Sequence, residues 1–196
     1  MTSSPPSPPS RLRLNLGCGQ NPREGFLNVD KFPACNPDMV CDLEVFPWPF
    51  EDNSAELIIL HHVLEHLGET TDKFFAVMKE LYRISAPDAR IEVTVPHPRS
   101  HAFLNDPTHV RAISPAIMLL FSKDKNHEWR RLGWPNTALG LYLDIDFATE
   151  KAEHRLLPKW QRKLDTGEMT HDQIIDAIDN LNNVAEEIVI VLRAVK

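Results

Sequence analysis

The chain has 196 residues, 42% of them apolar and 25% charged, with a formal charge of −7 and a pI near 5.7. That length suits one domain able to bury its own core. The acidic balance argues against a protein that grips long stretches of nucleic-acid backbone, and no apolar run approaches the roughly 20 residues of a membrane span.

Met1–Ser10 is polar and proline-rich with no apolar centre, so it reads as a disordered tail and not as a secretory signal. A single domain is expected over residues 11–196. Arg11–Leu16 reads as a short buried strand stopped by Gly17 and Gly19, and Phe26–Val29 as a second strand ending at Asp30. Val45–Glu51 (VFPWPFE) must be loop, and Glu56–Leu60 is a third strand. His62–Leu67 reads as a short helix. Thr71–Ile84 follows as a longer one, with Phe74, Phe75, Met78, Leu81 and Tyr82 at helical spacing and Asp72 in its first turn. Arg90–Val95 is a fourth strand, stopped by Pro96. His97–Arg111 is a histidine-rich loop, and Ser114–Pro115 is a cap and helix start. Leu139–Asp146 reads as a strand, Thr170–Val184 as an amphipathic helix, and Glu187–Val195 as the last buried strand. Residues 147–185 read as a helical insertion before that strand. Its isoleucine face (Ile174, Ile175, Ile178, with Leu181) needs cover, from the same domain or from a second subunit of a homodimer. Cys18, Cys35 and Cys41 are odd in number and lack a CxxC spacing, so they read as reduced thiols of a cytoplasmic protein.

Strands alternating with helices predict an α/β fold with a mostly parallel sheet. In such sheets ligands bind beyond the carboxyl ends of the strands. Gly17–Gln20, Asp30–Lys31, His61–Glu65 and His97–Arg99 all lie immediately after a strand.

Leu14–Asp30 (LNLGCGQNPREGFLNVD) places Gly-x-Gly after one strand and an acid after the next. Glycines let a ligand lie against bare backbone, and the acid is placed to accept hydrogen bonds from two ribose hydroxyls. Only about a dozen residues separate Gly17 from Asp30, and Pro22 is among them, which leaves no room for the helix that dinucleotide folds aim at a pyrophosphate. A nucleoside ligand without a pyrophosphate is favoured, and S-adenosylmethionine is such a ligand.

Cys41–Leu67 (CDLEVFPWPFEDNSAELIILHHVLEHL) extends the pattern. With LNLGCG and LNVD before it, the chain resembles the small class I S-adenosylmethionine-dependent methyltransferases of the type 11 group, including those with a shortened glycine-loop segment. Leu81–Pro96 also resembles the family's next helix, turn and strand. The resemblance implies a Rossmann-like methyltransferase fold, with helices on both faces of the sheet and a shortened first helix. It implies S-adenosylmethionine as cofactor: Gly17 and Gly19 at the methionine moiety, Asp30 at the ribose, Asp42 at the adenine amino group, Leu43 against the adenine ring, and His61 bordering the methionine end. The chain departs from the pattern at Asn21, where a third glycine is usual. It departs again at Asn15 and Glu56, where an acid and an aspartate are common.

The implied reaction is in-line SN2 transfer of the sulfonium methyl to a small polar acceptor, in which much of the protein's work is positioning. Should the acceptor arrive protonated, His62, His97 and His109 are candidate general bases, within a wider set of Glu65, His66, His101, Asp106 and Arg111. Two other readings remain open. One is a cofactor-binding sensor or partner subunit without transferase activity. The other is a metal-dependent hydrolase on the His97–His109 loop, although Pro98 keeps His97 and His101 off a common helical face.

Overall fold

The computed structural model describes residues 11–196; the expectation of a disordered tail lies outside them. Seven strands form one sheet: β1 (Leu12–Leu16), β2 (Leu27–Asp30), β3 (Met39–Val40), β4 (Ala55–His61), β5 (Ser85–Pro96), β6 (Phe147–Leu156) and β7 (Ala185–Ala194). Their order is β3-β2-β1-β4-β5-β7-β6. β7 is antiparallel to both its neighbours, and every other pairing is parallel. The chain therefore builds outward from β1 in one direction, then returns to β4 and builds in the other. That reversal opens a crevice at the carboxyl ends of β1 and β4.

Parallel strands covered on both faces need continuous apolar runs, and Ile58, Ile59 and Leu60 of β4 are all buried. The helix α1 (Thr71–Ile84) starts at the Thr70 cap, whose hydroxyl accepts from Lys73 N–H. It buries Phe74, Val77, Met78, Leu81 and Ile84 in the main core, and full burial of each large side chain contributes about 1.5–3 kcal/mol. Beyond β5 come α2 (His101–Leu104), α3 (Pro115–Leu119), α4 (Lys123–Leu132), α5 (Leu139–Leu143), α6 (Pro158–Asp165) and α7 (His171–Asn180). Ser114 caps α3, with Pro115 at its first position. Thr170 and Gln173 cap α7 reciprocally. No described helix is long and apolar enough to cross a membrane.

Three expectations need correction. Leu139–Leu143 is a helical turn, not a strand. Its alternating leucines suggest a strand, but tertiary hydrogen bonds from Gly140 N–H to Leu120 O and from Leu141 N–H to Asn126 Oδ1 hold the turn. Residues 147–156 are not part of a helical insertion but the edge strand β6. Its Glu, Lys, Ala and Arg content favours a helix, yet pairing with β7 prevails, and charged side chains suit an exposed edge. The helical part is the α6–α7 hairpin alone. Its Ile174 and Ile178 are covered within the chain by Leu156, Trp160, Leu164, Met169, Val184 and Ala185, while Ile175 and Leu181 stay exposed. Lastly, His62–Leu67 holds only one 3-10 turn, Leu64–His66.

Candidate cofactor and acceptor site

Residues 18–26 contain no helix at all. Gly17 has φ 66°, and a Cβ there would come within 2.5 Å of Val63 Cγ2. The chain can therefore leave β1 past the turn after β4 only as glycine. Gly19 has φ 50°, and the space where its side chain would stand is open to 4 Å. Bare backbone is thus offered at the switch point.

The Gly19 N–H donates to Asp30 Oδ2 at 2.8 Å, and the Phe32 N–H donates to Oδ1 at 2.9 Å. Asp30 is 8% exposed. Each carboxylate oxygen has two lone pairs, so each keeps one for a ligand hydroxyl. That fits a ribose diol.

Behind the loop lies a polar network that sequence reasoning missed. Asn15 Nδ2 donates to Asn28 Oδ1 at 2.9 Å and to Asn21 O at 3.1 Å. Asn28 in turn donates its backbone N–H and its Nδ2 to Asp38 Oδ2, at 2.8 and 2.9 Å. The Asn28 backbone amide and then its side chain hold the Asp38 carboxyl below its ordinary pKa. Side-chain amides thus pin a segment too short for a helix, which accounts for the asparagine at position 15.

Two residues past β3, Asp42 is exposed, and its Oδ1 accepts the Glu44 N–H at 2.9 Å. Leu43 is buried in the core, its carbonyl accepting from Trp48 Nε1 at 3.1 Å. Phe32, Val40 and Val45 are exposed apolar side chains near this edge, and no motif singles them out. The loop is braced from α1. Arg83 donates to Phe50 O, Trp48 O, Asp52 and Glu80, at 2.7, 3.1, 2.7 and 2.7 Å, while Glu80 Oε2 accepts the Trp48 N–H at 2.7 Å.

His61 ends β4 with its ring 4.6 Å from that of His62. Loss of water around the ring, and then His62, push its pKa down. His62 has φ 54°, rare for a residue with a side chain. Its Nε2 lies 2.7 Å from Glu187 Oε1 on β7. Its Nδ1 lies 3.3 Å from Glu65 Oε1, a misaligned contact but close enough to act on charge. Glu65 foremost, then Glu187, raise the His62 pKa against the opposing effect of burial. Glu187 also accepts from Arg155 at 2.7 Å.

The other two base candidates sit elsewhere. His97, buried after β5, accepts the Arg99 N–H on Nδ1 at 3.2 Å and faces His154 on β6, with ring centres 5.5 Å apart. It borders a cavity of about 230 Å³ with Arg99, Ser114, His154 and Asp179. His109 stacks on Phe103 at 5.2 Å and contacts His66 at 4.6 Å between ring centres. The carboxyl ends of β3, β2, β1 and β4 thus carry Asp42 with Leu43, Asp30, Gly17 with Gly19, and His61. His62 stands beside them, and His97 and His109 belong to separate clusters. Among the described residues His97, His101, Asp106 and His109 form no common ligand group.

A mostly parallel seven-stranded sheet with one antiparallel strand and a glycine turn facing an acid across its switch point is the class I methyltransferase architecture. Residues 14–93 match the family model described as a methyltransferase domain. That match runs from β1 into β5, the part of the chain that carries the crevice residues. Among solved structures the chain is similar to a SAM-dependent methyltransferase from Archaeoglobus fulgidus (16% identity over 94% of this chain and 86% of that one, TM-score 0.61). It is also similar to the YcgJ protein of Bacillus subtilis (14%, 96% and 94%, TM-score 0.52). A third is the 1,6-didemethyltoxoflavin-N1-methyltransferase of Burkholderia thailandensis, solved with 1,6-didemethyltoxoflavin and S-adenosylhomocysteine (10%, 94% and 71%, TM-score 0.51). At these identities the likeness is one of fold. No curated protein matches the chain.

Proposed function

We propose that the chain transfers the methyl group of S-adenosylmethionine to a small polar acceptor at the crevice between β1 and β4. The observation that carries this reading is the Asp30 carboxylate, held by the Gly19 and Phe32 amides with one lone pair spare on each oxygen. In this reading the backbone at Gly17 and Gly19 receives the methionine moiety and Asp30 the ribose. Asp42 takes the adenine amino group, and exposed Phe32, Val40 and Val45 form the apolar wall of the adenine site; Leu43, expected against the ring, packs in the core instead and backs the loop that carries Asp42. His61 borders the methionine end. The bound cofactor supplies an electrophilic methyl group; the protein's part is to align it with the nucleophile and exclude water.

The histidines divide by the use of their ring nitrogens. His62, held between Glu65 and Glu187, favours its imidazolium form and suits orienting an acceptor oxygen better than taking its proton. His97 uses Nδ1 to accept the Arg99 amide, which puts its proton on Nε2. His109 lies near Phe103 O through Nδ1, at 2.8 Å, leaving Nε2 with a free lone pair. The net charge of −7 accords with a small-molecule acceptor over nucleic acid. Three free thiols accord with a cytoplasmic location.

Calorimetry with S-adenosylmethionine and S-adenosylhomocysteine, followed by an acceptor screen read by product formation, tests the proposal. One equivalent of each should bind. Absence of binding would remove the reading; binding without turnover on any acceptor would favour a cofactor-binding module.

A further inference from the structure

Glu65 is wholly buried, and neither of its carboxylate oxygens has an aligned hydrogen-bond donor. A buried carboxylate left so is costly unless a cation compensates it. Three imidazoles reach it: His62, whose Nδ1 makes the misaligned 3.3 Å contact, and on the other side of the turn His66 and His109. One ligand atom from each of Glu65, His66 and His109 can be chosen so that all three lie within 4.8 Å of one another.

The hydrogen bonds around the two rings assign their tautomers. His66 Nδ1 lies 3.2 Å from Thr108 O and 3.0 Å from Thr108 Oγ1, a hydroxyl already donating to Asp106 at 2.6 Å. His109 Nδ1 lies 2.8 Å from Phe103 O. These partners can only accept, so each Nδ1 carries the proton and each Nε2 keeps its lone pair. That is the arrangement a metal-ligating histidine adopts, with its second nitrogen donating to a carbonyl. The backbone is fixed as well, because Glu65 O accepts the amides of both Val110 and Arg111.

We infer that Glu65, His66 and His109 form a divalent metal site of the zinc class. Two imidazoles and one carboxylate suit a borderline-soft ion, and three protein ligands leave a coordination position open. The ion ties the 3-10 turn after β4 to the Asp106–Arg111 loop. The site uses none of the cofactor-cradle residues and stands whether or not the methyl-transfer reading holds. It differs from the His61–His62–Glu187 group, whose His62 already spends one nitrogen on the carboxylate.

The test uses the tag-free full chain, stripped with a chelator and titrated with cobalt(II) and zinc(II). One equivalent of cobalt should give ligand-field absorption, displaced by zinc, and zinc should raise the melting temperature. His66→Gln and His109→Gln should each weaken binding by roughly tenfold or more, with far-ultraviolet dichroism and S-adenosylmethionine calorimetry showing that the fold survives. A His62→Gln control should retain the ion. Absence of a stoichiometric metal with ligand-field bands overturns the inference. So does binding that persists in His66→Gln and His109→Gln but disappears in His62→Gln, which would put the ion on the other group.

Discussion

Asp30 and Gly19 are joined by a 2.8 Å hydrogen bond from the glycine amide to Oδ2, so the acid and the bare backbone of the crevice are placed by one contact. The acid ends β2 and the glycine follows β1, and parallel pairing of Leu16 with Val29 sets their separation. Sheet register thereby sets the geometry of the crevice.

Asp30→Asn keeps an acceptor for one amide but removes the charge and a pair of acceptor positions. Hydrogen bonds to charged groups contribute about 1.5–3 kcal/mol, so S-adenosylmethionine affinity should fall about 10- to 100-fold by calorimetry. Asp42→Asn, at an exposed position, should cost less. Equal affinity in wild type and Asp30→Asn would show that the ribose does not lie there.

Gly17→Ala and Gly19→Ala should separate folding from binding. At Gly17 the added Cβ meets Val63 at 2.5 Å in a left-handed backbone, so both clash and strain apply. The loss of stability should reach about 2–4 kcal/mol in urea unfolding. At Gly19 nothing stands in the way, and only backbone strain of about 1–2 kcal/mol remains. There the larger loss should be in cofactor affinity, because the methyl group occupies the ligand's space. A Gly19→Ala protein that binds S-adenosylmethionine normally would contradict the cradle.

The parts of this arrangement that were legible in the sequence are local. Gly17, Gly19 and Asp30 announce themselves by residue type at strand ends, and α1 by its spacing and its threonine cap. The parts that were not legible depend on partners far apart in the chain. His62 and Glu187 are 125 residues apart, and nothing in EEIVIV signals an ion-pair partner. Asp38 takes its meaning only from Asn28, whose amide it receives across the sheet edge. β6 is composed of helix formers and becomes a strand only because β7 offers an unpaired edge. The histidine set was visible as a set, but its division into clusters around Glu65 and around His154 follows from chain crossings that spacing does not encode.

Arg83→Ala tests whether α1 supports the loop that carries Asp42 and Leu43. The guanidinium satisfies two backbone carbonyls and two carboxylates at once, and Glu80 and Asp52, with the charge they supply, raise its pKa against partial burial. Its removal leaves Phe50 O and Trp48 O without that donor. Stability should fall by about 1.5–3 kcal/mol, and limited proteolysis should cut within residues 44–53 faster than in wild type. Arg83→Lys, which cannot reproduce the fork, should recover only part of the loss. Unchanged proteolysis would mean that the proline-rich loop holds itself.

Acidification should act through His97 and His154. Burial foremost lowers the pKa of both; His154 and Arg99 add to the effect at His97, while Asp179 opposes it at each. The folded-state values therefore lie below the ordinary imidazole value of about 6.5. As pH falls from there, the unfolded chain takes up these protons first. Stability present above about pH 6.5 is lost as pH drops through the folded-state values. Melting temperature recorded from neutral pH downward should decline in wild type and decline less in the His97→Gln, His154→Gln double variant, with the difference vanishing above neutrality. Arg99 and Asp179 remain in the variant, so a slope that stays unchanged would assign the acid sensitivity to carboxylates instead of to this histidine pair.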